Sequence, residues 1–157
     1  MYYPLINNSK QSNAAFSLME VMVVIAIIGI LSAVAIPNMI AWRATAQYSA
    51  AVRMVKSAID ETRMKAIKSN MPARVDFVVG NRTFNTLEWD IAANAYAAPV
   101  SHQLPVGTII SASTFGGAQL EFNSRGMANN VGSVTIQDSN GRNSNIVVNI
   151  VGTSRIQ

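Results

Sequence analysis

The hydropathy pattern begins with an apolar run, "FSLMEVMVVIAIIGILSAVAIP", from Phe16 to Pro37, in which Glu20 is the single ionisable residue. Phe16 to Ile36 makes a helix of about 31 Å at 1.5 Å per residue, a match to a hydrocarbon core of about 30 Å. From Asn38 to Asn70 the pattern changes, and Ile40, Ala44, Tyr48, Ala51, Val52, Val55, Ile59, Thr62 and Ala66 recur at spacings of three and four with no Pro or Gly between them. That spacing predicts an amphipathic helix, stopped by Pro72. Trp42, just past Pro37, suits a membrane interface or simple packing about equally well.

After Pro72 the period falls to two. Val75, Phe77 and Val79 alternate with Arg74, Asp76 and Val78, and "GNRT" turns the chain into "FNTLEWDI", which predicts two paired strands. Ala92 to Thr108, with Pro99, Pro105 and Gly107, reads as a long loop. "IISAS" and "QLEF" follow as strands, and "SVTIQD", the turn "SNGRN" and "NIVVNIV" predict a terminal hairpin with Ile146, Val148 and Ile150 on one face. A sheet with one apolar face and a helix with one apolar stripe cover each other, so the predicted class is α+β.

At 157 residues the chain holds one small domain besides the apolar segment. Half of the residues are hydrophobic and 13% are charged, but the apolar excess lies before Pro37, which describes an anchored domain rather than a polytopic protein. Cysteine is absent, which excludes disulfide frameworks and thiolate sites. Twelve Lys and Arg against eight Asp and Glu give +4, and losing Lys10 with a leader leaves eleven against eight, or +3. This basic excess permits anionic partners without requiring them.

Glu20 is the anomaly. A carboxylate near the bilayer centre costs about 2.5 to 3.5 kcal/mol, so it either snorkels to the headgroups or meets a positive charge at its own depth. Cleavage before Phe16 creates such a charge as a free α-amine. The polar, turn-rich stretch "MYYPLINNSKQSNAA" carries no core periodicity and reads as dispensable. A conventional signal peptide has a shorter apolar stretch and a small-residue cleavage site, for which "SAVA" at Ser32 to Ala35 is the nearest candidate.

The residues from Phe16 to Pro37 resemble the N-terminal segment of type IV pilins and pseudopilins: Phe first, a single acid at Glu20, then Gly29 and Pro37 at the family's helix-loosening positions. More narrowly, "VKSAIDETRMKAIKSNMPARVDF", "LEFNSRGMA" and "VVNIVGTSRIQ" resemble three motifs of the GspH/FimT-like minor pilins. The resemblance implies the pilin-like fold, a long helix packed on an antiparallel sheet. It implies a leader of residues 1–15, cut between Ala15 and Phe16 by a prepilin peptidase that methylates Phe16; the usual residue before the cut is Gly. It further implies a transmembrane and filament-core helix over 16–37, an amphipathic half over 38–71, and a β-rich periplasmic head over 72–157.

The implied partners are other pilin or pseudopilin subunits, the peptidase, an inner-membrane assembly platform and the inner membrane itself. In this reading Glu20 pairs with the Phe16 amine of a neighbour, and Gly29 and Pro37 allow local melting of the helix. Two machines fit, the type II secretion pseudopilus and the type IV pilus.

Enzyme chemistry lacks a constellation. His102, the single histidine, lies in the Pro-flanked stretch, no cofactor motif is present, and Gly116 with Gly117 reads as a turn. A membrane-tethered periplasmic enzyme or sensor domain is thereby disfavoured. DNA is an alternative partner, since some GspH/FimT-like minor pilins bind it during natural transformation. Arg125, Arg142 and Arg155, all near turns, are the residues that could reach phosphates, without an aromatic stacking set.

Overall fold

The structure is a computed structural model that describes residues 17–157, so the expected cleavage and methylation positions Ala15 and Phe16 lie outside the described residues. The chain divides into two units after Ile40. Helix α1, Leu18–Ser69, runs through both and remains helical at Gly29 and Pro37.

In the N-terminal unit the helix carries Leu18, Val21, Val24, Ile28, Leu31 and Val34 exposed, with none of the described residues covering them. Among the described residues it is the one helix long and apolar enough to cross a membrane. Ile40, placed on the amphipathic stripe by spacing, is 65% exposed and belongs to this unit.

In the second unit, Ala41–Gln157, the stripe residues Ala51, Val52, Val55, Ile59, Thr62 and Ala66 are buried, joined by Ala58, while Ala44 and Tyr48 are half-buried. The helix stops three residues before Pro72. Asn70 adopts a left-handed φ of 54°, its N–H donates to Ile67 O, and Met71 N–H donates to Ala66 O. This double return satisfies carbonyls that the last helical turn leaves unpaired. Pro72 only prevents resumption.

Among the described residues, nine strands form two antiparallel sheets. In the first, β1 (Ala73–Phe77) pairs with β2 (Thr83–Asp90) and β6 (Gln119–Phe122). The far edge of β2 is shared by β3 (Ala95–Tyr96) and β4 (Val100–Gln103). The second sheet has the order β5 (Thr108–Ser113), β7 (Gly132–Asp138), β8 (Asn143–Val148), β9 (Ser154–Ile156). Gly80 N–H donates to Ile110 O at 2.8 Å and Ile110 N–H to Asn81 O at 2.9 Å, joining the sheets. A single core unites Val55 and Ile59 of the helix with Val75, Phe84 and Phe122 of one sheet and Ile136 and Ile146 of the other.

Two expectations are corrected. The segment Ala92 to Thr108 is not all loop, because β3 and β4 lie in it. β4 is mostly exposed and lacks apolar alternation, and its order comes from backbone pairing to β2, invisible to a hydropathy pattern. Pro99 and Pro105 sit just outside it, where no ladder N–H is required. The terminal hairpin gains β9, and the turn this requires takes Ile150 off the inward face. Ile146 and Val148 are buried, whereas Ile150 is 57% exposed.

Candidate functional site

Glu20 stands in the first turn of α1. Ser17 precedes the helix, and its Oγ accepts from Met19 N–H at 3.3 Å. Ser17 is thus the cap and Glu20 the third helical residue, the serine-to-glutamate spacing of a capping box. Glu20 is exposed beside Val21, Val24 and Ile25. A Cβ placed on Gly29 would meet nothing within 4 Å, so packing within this chain does not require glycine there. Glycine in a helix interior costs about 1 kcal/mol relative to alanine, and Pro37 withholds the bond to the Ala33 carbonyl.

In the head, the resemblance-bearing motifs around Gly126 and Gly152 meet on one helix residue. Arg63 Nε donates to Gly126 O at 2.9 Å and a terminal guanidinium nitrogen to Val151 O at 3.2 Å. Gly152 has φ +81°, and a Cβ on it would lie 2.1 Å from Gly126 O. A Cβ on Gly126, φ +72°, would lie 2.6 Å from the Ile67 side chain. The Asn123 carboxamide oxygen orders the first loop by accepting from Arg125 N–H and Met127 N–H. Ser154 Oγ donates to Asp60 Oδ1 at 2.6 Å, tying β9 to the helix next to this clip. Arg63 was legible only as part of the quoted helix motif, flanking the stripe at Thr62; its carbonyl partners lie 63 and 88 residues away.

The three arginines named for DNA are differently placed. Arg125 is exposed in the loop between β6 and β7, and Arg155 is exposed on β9 beside Val147, Asn149 and Gln157. Arg142 is engaged within the fold: its Nε meets Asp138 Oδ2 at 2.7 Å, another guanidinium nitrogen donates to Thr45 Oγ1, and its carbon lies 5.0 Å from the Tyr48 ring centre. Tyr48 in turn donates to Ser144 Oγ at 2.7 Å, so the β7–β8 turn is locked onto the helix.

Asp138 is the buried acid of that lock. Burial pushes its carboxyl up, but the Arg142 guanidinium and the backbone N–H groups of Arg142 and Asn140 outweigh burial and hold it below the usual carboxylate range. A lowered folded-state value stabilises the head above the unfolded carboxylate range, near pH 3.9, and the contribution is lost as pH falls through the folded value. We expect Asp138→Asn to cost about 2 kcal/mol at pH 7 and less near pH 3, below the unfolded carboxylate value, allowing for the partial exposure of Arg142. Denaturation midpoints at the two pH values check this.

His102 stacks on Phe84 with ring centres 4.9 Å apart and its Nε2 lies 3.0 Å from Thr86 Oγ1, a packing role. Tyr96 lies edge-on to Trp89 and under the Arg74 guanidinium, and burial together with Glu121 pushes its phenol up. Gly117 and Ala118 turn the chain with φ of 64° and 55°. No group of three or more His, Cys, Asp or Glu suited to a metal occurs among the described residues.

A long helix over two antiparallel sheets, preceded by an exposed apolar helix with one acid, defines the minor pilin and pseudopilin class, whose members are structural subunits rather than enzymes. The chain belongs to the family described as type II transport protein GspH, matched over residues 51–152, and carries the prokaryotic N-terminal methylation motif over residues 10–36. The minor pseudopilin EpsH of the Vibrio cholerae type 2 secretion system has a similar structure, with TM-score 0.60 and 16% identity over 71% of this chain and 96% of that one. The type IV minor pilin FimU of Pseudomonas aeruginosa gives TM-score 0.57 and 12% identity over 72% of this chain and 90% of that one. No curated protein sequence matches the chain.

Proposed function

We propose that the chain is a minor subunit of a filament of the type IV pilus or type II secretion class, held in the inner membrane by residues 16–37 until it is assembled. A prepilin peptidase removes residues 1–15 and methylates Phe16, the head folds in the periplasm, and an inner-membrane platform moves the subunit into the filament. Glu20 then pairs with the Phe16 amine of a neighbour. Pairing relieves the cost of a buried carboxylate and fixes the stagger between subunits.

The observation that carries this reading is the helix from Leu18 to Ile40, exposed almost throughout and largely apolar, with Glu20 its one ionisable residue. Such a surface demands lipid or other helices around it. The test is fractionation of cells that express the full chain with a pilus or pseudopilus assembly system. The chain should appear in sheared filaments when the assembly ATPase is active and only in membranes when it is not; confinement to membranes in both cases would refute the proposal. Arg142 is engaged with Asp138, which leaves only Arg125 and Arg155 of the three arginines free for DNA, so filament assembly is the better supported reading.

A further inference from the structure

The clip around Arg63 presents an apolar surface that the fold itself does not need. The β8–β9 connection, Asn149 to Thr153, is built on a four-residue turn, Asn149 to Gly152, closed by Gly152 N–H to Asn149 O at 2.9 Å. Its central residues are Ile150 and Val151, 57% and 55% exposed. Turn centres favour Gly, Asn, Asp, Pro and Ser, and the β7–β8 turn of this same head follows that rule with Ser139, Asn140 and Gly141. Nothing in turn geometry calls for two β-branched aliphatic residues held out to solvent.

They are not isolated. Ala128 N–H donates to Ile150 O at 3.1 Å, which brings exposed Met127 alongside. Ile67, also exposed, packs over Gly126 from the helix, and Met64 lies on the same side of the helix by its three-residue spacing. The supporting backbone is locked by the Arg63 bonds and by the approach of Gly152 to Gly126 O, so the patch is a fixed surface. Its free charges are basic, since the neighbouring Asp60 carboxylate is taken up by Lys56 and Ser154. Arg63, Arg125 and Lys68 lie in or beside it, and among the described residues no carboxylate pairs with any of them.

We infer that this patch is the docking surface for the head of a different pilin-class subunit, one that presents aliphatic side chains around at least one carboxylate. The inference rests on the filament-subunit reading and assigns that reading a second contact, separate from the apolar helix. Aliphatic anchors ringed by unpaired cations fit an apolar, acidic protein surface. Nucleic acid fits less well, because the patch has no aromatic side chain for base stacking. A symmetric contact with a second copy sets like charges against each other.

The absence of native cysteine makes the test clean. Full-length Ile150→Cys and, as a control on the outer face of β7, Gln137→Cys are expressed with the assembly system and treated with a short bifunctional maleimide-to-amine crosslinker. The expected result is a crosslink from position 150, and not from 137, to another chain bearing its own N-terminal methylation motif, identified by mass spectrometry. Separately, Ile150→Ser with Val151→Ser should reduce recovery in sheared filaments about tenfold, the effect of losing a central apolar anchor, with the denaturation midpoint unchanged.

Normal filament recovery of the double variant, with equal crosslinking from 150 and 137, overturns the docking surface and leaves the subunit reading intact. A crosslink from 150 to a second copy, to lipid or to DNA also overturns it. Absence of the wild-type chain from filaments overturns both.

Discussion

Gly152→Ala is expected to destabilise the head by at least about 3 kcal/mol, far more than a glycine-to-alanine change normally costs. Part of the effect is conformational. A φ of +81° suits glycine, and an alanine held there costs about 1 to 2 kcal/mol. The larger part is steric, because the new Cβ would stand 2.1 Å from Gly126 O and 3.0 Å from Arg63 Nε. Gly126 O is backbone and cannot rotate away, so the two loops must separate. Separation breaks bonds from a charged guanidinium to two carbonyls, each worth about 1.5 to 3 kcal/mol when lost. Gly141→Ala is the matched control, with φ +80° and nothing within 4 Å of the added carbon. It should cost only the conformational part, about 1 to 2 kcal/mol. Urea denaturation of the two full-length variants in detergent checks the contrast; equal losses would mean that the Gly126 contact is not as tight as described.

The second large effect concerns assembly rather than folding. Glu20→Ala should insert in the membrane at least as well as the parent chain, because it removes a carboxylate costing about 2.5 to 3.5 kcal/mol near the bilayer centre. It should nevertheless enter filaments at least about tenfold less, since a contact of about 1.4 kcal/mol changes an equilibrium by that factor. The capping geometry at Ser17 supplies a rival explanation, in which the acid serves only the helix start. Glu20→Gln separates the two, because glutamine can serve in a capping box but carries no charge. If Glu20 pairs with a neighbour's amine, the glutamine variant assembles nearly as poorly as the alanine variant. Near-normal assembly of Glu20→Gln, measured in sheared filaments, would reduce Glu20 to a capping residue.

Elements that bury a stripe of their own residues were legible in the sequence. The spacing of Ala51, Val55, Ile59, Thr62 and Ala66 fixes the helix face, and Val75 and Phe77 mark the inward side of β1, because local periodicity maps directly onto burial; Val79, expected to continue that series, lies past the end of the strand and is exposed. Elements held by a partner's backbone were not. β4 exists because Thr83 to Thr86 offers it an edge, and its own side chains stay largely exposed. Ile150 looked like the next inward residue after Ile146 and Val148, yet the Asn149 to Gly152 turn interrupts the alternation just before it.

The same distinction runs through the candidate site. Glu20, Gly29 and Pro37 are anomalies within a run and are visible one residue at a time. Arg63 is an ordinary helix arginine until the fold brings the carbonyls of Gly126 and Val151 to it. Arg142 seemed free near a turn, whereas Asp138, four residues earlier, engages it from a buried position at the end of β7. Turn glycines and arginines are read correctly only when the partners the fold gives them are known.

We propose that this chain is a processed filament subunit whose acid meets a new N-terminus. Intact-mass measurement of the full chain recovered from sheared filaments tests this most directly. One species is expected, beginning at Phe16 and carrying a methyl group on its α-amine. A chain that retains Met1, or one cut after Ala35 in "SAVA", would contradict it.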